Sequence, residues 1–276
     1  MPSFERLGCQ LYYEDDGPIA AEGTTEGGAS AAGNAPAIVF AHGAGGNHLS
    51  WWQQVPTFNH TYRCIVIDHR GFGRSALSED ATMPAPEVFI DDLEALLDHL
   101  EIEKAALVAQ SMGGWGCLGL ALRQPQRVAG LVMADTLGGV SNEVIDSARQ
   151  AGRERIQRDG LLRLAYSPRL REARPEMAFL YDEISGLNRP LSEILPDGLP
   201  SVVSADELAA LQVPTLWVVG EEDPITPPDA IREGHRLTPG SEYFEAPETG
   251  HSVYFERAGE FNTRLQESLH ASGWGA

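Results

Sequence analysis

Three residues far apart in the chain, Ser111, Asp223 and His251, carry the side chains of a hydroxyl nucleophile, an orienting acid and a base. A serine hydroxyl attacks poorly until a base takes its proton, and that base must itself be oriented. Ser111 stands in Ala105-Ala-Leu-Val-Ala-Gln-Ser-Met-Gly-Gly-Trp-Gly. The pattern reads as a short apolar strand, a sharp turn at the serine and a helix opening on Met112. A turn this tight crowds its flanks, so small residues are needed beside it. Ala109 lies two before the serine, and Gly113 and Gly114 follow it. The hydroxyl is lifted above the sheet, and the first helical N–H groups point at whatever binds there. A serine that merely caps a buried helix has the same local pattern, so the reading depends on partners elsewhere.

Both partners sit in loops that follow apolar runs. Asp223 lies in Gly220-Glu-Glu-Asp-Pro-Ile-Thr-Pro, and His251 in Pro247-Glu-Thr-Gly-His-Ser. The chain order is serine, acid, histidine, and all three loops fall at one edge of the expected sheet. Glu221, Glu222 and Asp135, which closes the run Val128–Ala134, remain alternative acids. Asp223 is preferred because its loop follows the strand nearest His251. Of the other histidines, five precede the serine, His99 among them in a helical pattern, and His235 and His270 also fall in helical patterns.

A third loop, His42-Gly-Ala-Gly-Gly-Asn, follows the apolar run Ala37–Ala41. Glycines after a buried strand let the backbone bend sharply and expose N–H groups. A phosphate loop would need a lysine, and the only one, Lys104, lies elsewhere. An oxyanion-binding turn is the better reading.

The runs Ala37–Ala41, Arg63–Asp68, Ala105–Gln110 and Val128–Ala134 alternate with helical patterns, the clearest spanning 86–100. That alternation implies a mostly parallel sheet with helices on both faces. It breaks at residues 138–208, where helical patterns (142–158, 176–187) follow one another without an apolar strand. The expectation is an α/β core of residues 1–137 and 209–276, with 138–208 a helical insertion after the sixth strand, over the ligand-binding edge. The Gly/Ala/Ser/Thr-rich stretch 17–36 reads as a long surface loop.

Composition narrows the partners. A net charge of −20 over 276 residues argues against nucleic acid and anionic membranes. No run of about 18 apolar residues occurs, and the start lacks a signal-like segment, so a cytoplasmic protein, monomer or homodimer, is expected. The three cysteines are odd in number and lack C-x-x-C spacing, which favours buried thiols over a disulfide or metal site.

Taken together, the His42–Gly43 turn, the Asp68-His-Arg-Gly-Phe-Gly-Arg-Ser segment, the Ser111 turn, the Gly220–Asp223 loop and Gly250-His251 resemble the α/β-hydrolase superfamily over nearly the whole chain. The resemblance implies that the Ala44 and Met112 N–H groups form an oxyanion hole and that 138–208 form a lid. Serine rather than aspartate at the turn argues against its dehalogenases and epoxide hydrolases. The expected activity is hydrolysis of a small carboxylic ester or lactone, without metal or cofactor. Substrate would be met by His42, Gly43, Trp115 and, from the lid, Phe179 and Tyr181. The same triad could instead serve a C–C bond hydrolase, an amidase or a cofactor-free perhydrolase, or the fold could be a non-catalytic small-molecule receptor.

Overall fold

The apolar runs of the sequence lie side by side as the middle of one sheet. A computed structural model describes residues 2–18, 35–195 and 199–275. Its first strands are β1 (Ser3–Arg6), β2 (Cys9–Asp16), β3 (Ala37–Ala41), β4 (Arg63–Ile67), β5 (Ala76–Leu77), β6 (Ala105–Gln110) and β7 (Val128–Ala134). There follow β8 (Val140–Ser141), β9 (Val203–Ser204), β10 (Thr215–Gly220) and β11 (Glu242–Ala246). The main sheet runs β1-β2-β4-β3-β6-β7-β10-β11, with β5 on β2. From β4 to β11 every pairing is parallel, while β2 pairs antiparallel with β1, β4 and β5.

Every residue of β3, β6, β7 and β10 is buried, as expected for strands covered on both faces. Alternate side chains feed two cores. Val39, Ile65, Leu107 and Leu131 pack on one face with Leu93, Leu96 and Leu97 of the helix Pro86–His99; Ile38, Phe40, Val108 and Val132 face Trp51, Phe255 and Phe261 on the other. Because the strands are parallel and in register (Ala41 opposite Ala109, Gln110 opposite Ala134, Gly220 opposite Ala246), the loops after them open at one edge. The residues singled out for chemistry all leave the sheet there.

Four details differ from the sequence reading. The stretch His48–Phe58, which reads as a helix interrupted near Pro56, is a 3-10 turn, His48–Trp51, and a separate short helix, Val55–Phe58, that begins one residue before that proline. The final helix, which the sequence places from about Tyr254 to His270, breaks at Arg257 into Val253–Glu256 and Ala258–Ala271. The short strand β5 was not foreseen, so the insertion follows the seventh strand in chain order. Within 138–208, β8 and β9 pair in parallel, tying together the two ends of that segment. Two-residue strands carry too little alternation to be read from sequence. Between them lie the helices Glu143–Asp159, capped by the Asn142 side chain, and Pro175–Gly186, with shorter helical turns. Most of the loop expected at 17–36 lies outside the described residues. All three cysteines are free and buried, and no helix of the described residues is long and apolar enough to cross a membrane.

Candidate active site

Ser111 follows β6 with φ +48°, a left-handed conformation that costs a non-glycine residue about 1–3 kcal/mol. Its N–H donates to the Ala134 carbonyl and its carbonyl accepts from Gly114 N–H, each at 3.0 Å, which holds the turn. The helix Gly113–Arg123 starts two residues on. Only glycine fits at 113, because a Cβ there would run into the Ala41 carbonyl of β3. Ala109 is fully buried without strain, so its methyl is accommodated where a glycine would also fit.

The turn delivers Ser111 Oγ to 2.9 Å from His251 Nε2. On the far side of the ring, His251 Nδ1 meets Asp223 Oδ2 at 2.8 Å. Asp223 is in turn held by the Ile225 and Thr226 N–H groups on Oδ1 (2.8 and 3.0 Å) and by the Thr226 hydroxyl on Oδ2 (2.7 Å). Asp223 and His251 are both buried. Burial alone would push the imidazole pKa down; the charge and hydrogen bond of Asp223, helped by Asp135 and Glu256, outweigh it, and the net shift is upward.

Asp135, the alternative acid, has another place. Its carboxyl accepts the Gly220 and Val253 N–H groups, both at 3.1 Å, and its carbonyl lies 3.0 Å from the Thr226 hydroxyl oxygen. It thus clamps the end of β10 to the segment just after His251. Burial, reinforced by the charge of Asp223, raises its pKa to about 8. Three further residues escaped the sequence reading. Thr226 holds Asp223, Gln110 donates to the His251 carbonyl at 2.9 Å, and Glu256 accepts from Gly250 N–H and from Ser167 of the insertion. Gln110, a lone polar residue closing an apolar strand, was the one visible signal among them.

In the turn after β3, the Ala44 N–H, like that of Met112, has no acceptor among the described residues, and both residues line the cavity over Ser111. His42 does not line it. Its Nδ1–H donates to the Gly43 carbonyl at 2.7 Å, its Nε2 accepts from His69 N–H at 3.0 Å, and burial lowers its pKa, keeping the ring neutral. His42 therefore shapes the turn instead of meeting substrate. Gly43 likewise packs against the Gln110 amide and leaves no room for a Cβ.

The cavity measures about 480 Å³. Its wall joins Ser111, Trp115 and Leu137, from the sheet edge and the helix after Ser111, to Gly152, Ile156 and Leu191 of the segment 138–208. Trp115 lines it as expected, its ring N–H tied to the Pro200 carbonyl at 2.8 Å. Phe179 and Tyr181 do not. Phe179 is 65% exposed on the outer side of its helix. Tyr181 is buried, packed edge-on against Tyr166 and Phe255 with its hydroxyl on Ser252 at 3.3 Å, so it seats the insertion on the core. Among the described residues no group of three or more His, Cys, Asp or Glu is placed to hold a metal ion.

This chain belongs to the alpha/beta hydrolase fold family, whose pattern matches residues 36–171 and 149–258. The 3-oxoadipate enol-lactonase 1 of Acinetobacter baylyi is 30% identical over 201 residues, covering 70% of this chain and 73% of that protein. Among solved structures, Est816, described as an N-acyl homoserine lactone degrading enzyme, superposes with a TM-score of 0.77 at 31% identity, over 96% of this chain and 99% of its own. The enol-lactonase from Burkholderia xenovorans LB400 shares the fold, with a TM-score of 0.76 at 24% identity over 98% of this chain and 100% of its own.

Proposed function

We propose that this protein is a serine hydrolase of carboxylic esters or lactones, working through an acyl-enzyme on Ser111. The observation that carries the reading is the line from Ser111 through His251 to Asp223, closed at 2.9 and 2.8 Å on the floor of a cavity. His251 takes the hydroxyl proton as Oγ attacks the carbonyl carbon, while Asp223 keeps the proton on Nδ1 and stabilises the imidazolium that forms. The free N–H groups of Ala44 and Met112 receive the oxyanion, and one such donor contributes roughly 3–4 kcal/mol in comparable sites. His251 then gives its proton to the leaving alcohol. A water deprotonated by His251 cleaves the acyl-enzyme, restoring Ser111 and releasing the acid. Each turnover consumes one water and breaks one C–O bond. The lactone-cleaving relatives support this substrate class, and the modest cavity suits a small molecule over a polymer.

The test is a panel of nitrophenyl esters and lactones run on wild type and Ser111→Ala, with fluorophosphonate labelling of both. Turnover and stoichiometric labelling should vanish together in the variant. A folded Ser111→Ala protein with wild-type rates would end the proposal.

A further inference from the structure

Building on the ester or lactone reading, we infer that the substrate carries a carboxylate and that Arg153, at the cavity wall, receives it. The cavity over Ser111 is mainly apolar, yet two arginines line it, Arg149 and Arg153 of the helix Glu143–Asp159. Four residues apart, they share one face of that helix. Their surroundings differ sharply. Arg149 spends its donors inside the protein, on the Val140 carbonyl at 2.6 Å, on Asp146 at 3.1 Å and on the Ser201 hydroxyl. Arg153 is exposed, lines the cavity, and has no carboxylate or other acceptor in reach among the described residues.

That isolation is out of pattern. The chain has 40 acidic residues against 20 basic ones, and most of its arginines are paired with carboxylates. Among the described cavity residues only Asp135 is acidic, and its two oxygens are already taken by backbone N–H groups. Burial is the main cause that pushes the Arg149 pKa down; the pull of Asp146 opposes it, and the neighbouring charge of Arg153 adds a smaller push in the same direction as burial. An anionic group beside Arg153 gives that side chain the partner it lacks among the described residues, and a planar guanidinium offers a carboxylate a two-pronged fit. A neutral ester gains nothing from that wall. The substrate thus places its scissile carbonyl at Ser111 and an anionic end toward the insertion, and the carboxylate takes no part in bond breaking.

The discriminating pair is mono-p-nitrophenyl glutarate and p-nitrophenyl 5-methylhexanoate, alike in shape and different in charge. Wild type should favour the anionic ester in kcat/KM, and Arg153→Gln should lower the anionic-to-neutral ratio by about 10- to 100-fold, the worth of one charged hydrogen-bonded contact. Arg153→Lys should fall between. Arg158→Gln removes the same charge from the same helix outside the cavity and should leave the ratio alone. An unchanged ratio in Arg153→Gln, or an equal fall in Arg158→Gln, overturns the assignment. If wild type cleaves neither ester, the ester reading fails by itself. Calorimetric titration with monomethyl glutarate then decides the arginine: binding that Arg153→Gln loses supports it, and binding that the variant keeps, or no binding to wild type, overturns it.

Discussion

Asp223 Oδ2 lies 2.8 Å from His251 Nδ1 and shares itself with the Thr226 hydroxyl at 2.7 Å, so the acid is fixed from two sides before it meets the base. A carboxylate held this way permits one imidazole tautomer, with Nε2 free to take the Ser111 proton. Asp223→Asn keeps the size and most of the contacts while inviting the wrong tautomer. Its kcat should fall by about 10⁴-fold, as for the equivalent change in other triads. Steady-state kinetics on a nitrophenyl ester, with circular dichroism to show an intact fold, measures this. A loss below tenfold would pass the acid's role to another carboxyl group.

The same contact sets the pH profile. On the proposed mechanism the imidazole acts as base only when neutral, so kcat/KM should be low in acid and rise as His251 loses its proton. Because Asp223 raises the His251 pKa against the effect of burial, the inflection should lie above the ordinary histidine value of 6.5. In Asp223→Asn the raising influence goes while burial stays, and the residual activity should show its acid limb at lower pH. A pH series on both proteins, under single-turnover conditions, reads the shift and its direction.

Asp135 bears on stability. Its carboxyl receives two buried N–H groups, Gly220 and Val253, and Asp135→Ala strands both at about 1–3 kcal/mol each. Urea denaturation should show a loss of that order. Its raised pKa has a consequence with a definite sign. The folded protein binds this proton more tightly than the unfolded chain does, so the group favours folding fully below 3.8 and loses that contribution as pH rises through about 8. Wild type should therefore weaken between roughly pH 6 and pH 9 more than Asp135→Asn, whose amide does not ionise. Parallel stability curves across that range would discard the idea.

The meeting of Ser111, Asp223 and His251 was legible because each follows an apolar run, and parallel strands in register bring such loops to one edge. Thr226, Glu256 and the clamp made by Asp135 were not, since their roles exist only through hydrogen bonds between segments distant in the chain. Arg149 and Arg153 looked like two more charges on a solvated helix until the insertion was laid over Ser111. Phe179 is the instructive error. Met177, Ala178, Tyr181 and Ile184 form the buried stripe of their helix, and at 3.6 residues per turn Phe179 falls nearly opposite it. Helical periodicity already placed it outside; aromatic character alone suggested otherwise. His42 was misread for a related reason. Nearness to a binding turn in sequence does not say whether a ring faces the cavity or, as here, pins the loop from behind.

The two positions flanking Ser111 should respond very differently to one added or removed methyl. At Gly113 a Cβ meets the Ala41 carbonyl, and β3 cannot retreat because it is paired with β4 on one side and β6 on the other. Gly113→Ala must move the start of the helix, and with it the Met112 N–H and the Ser111 side chain. Overpacking of this kind costs about 1–3 kcal/mol, and the displaced serine should lower kcat as well. Ala109 lies in β6, where its methyl packs in the core that fills one face of the sheet. Ala109→Gly removes that methyl and loosens the backbone at a cost of about 1 kcal/mol, with the turn and its kinetics intact. Denaturation midpoints and kcat for the two variants together separate these outcomes, and equal kinetic damage at both sites would mean that the elbow is not held by its contact with β3.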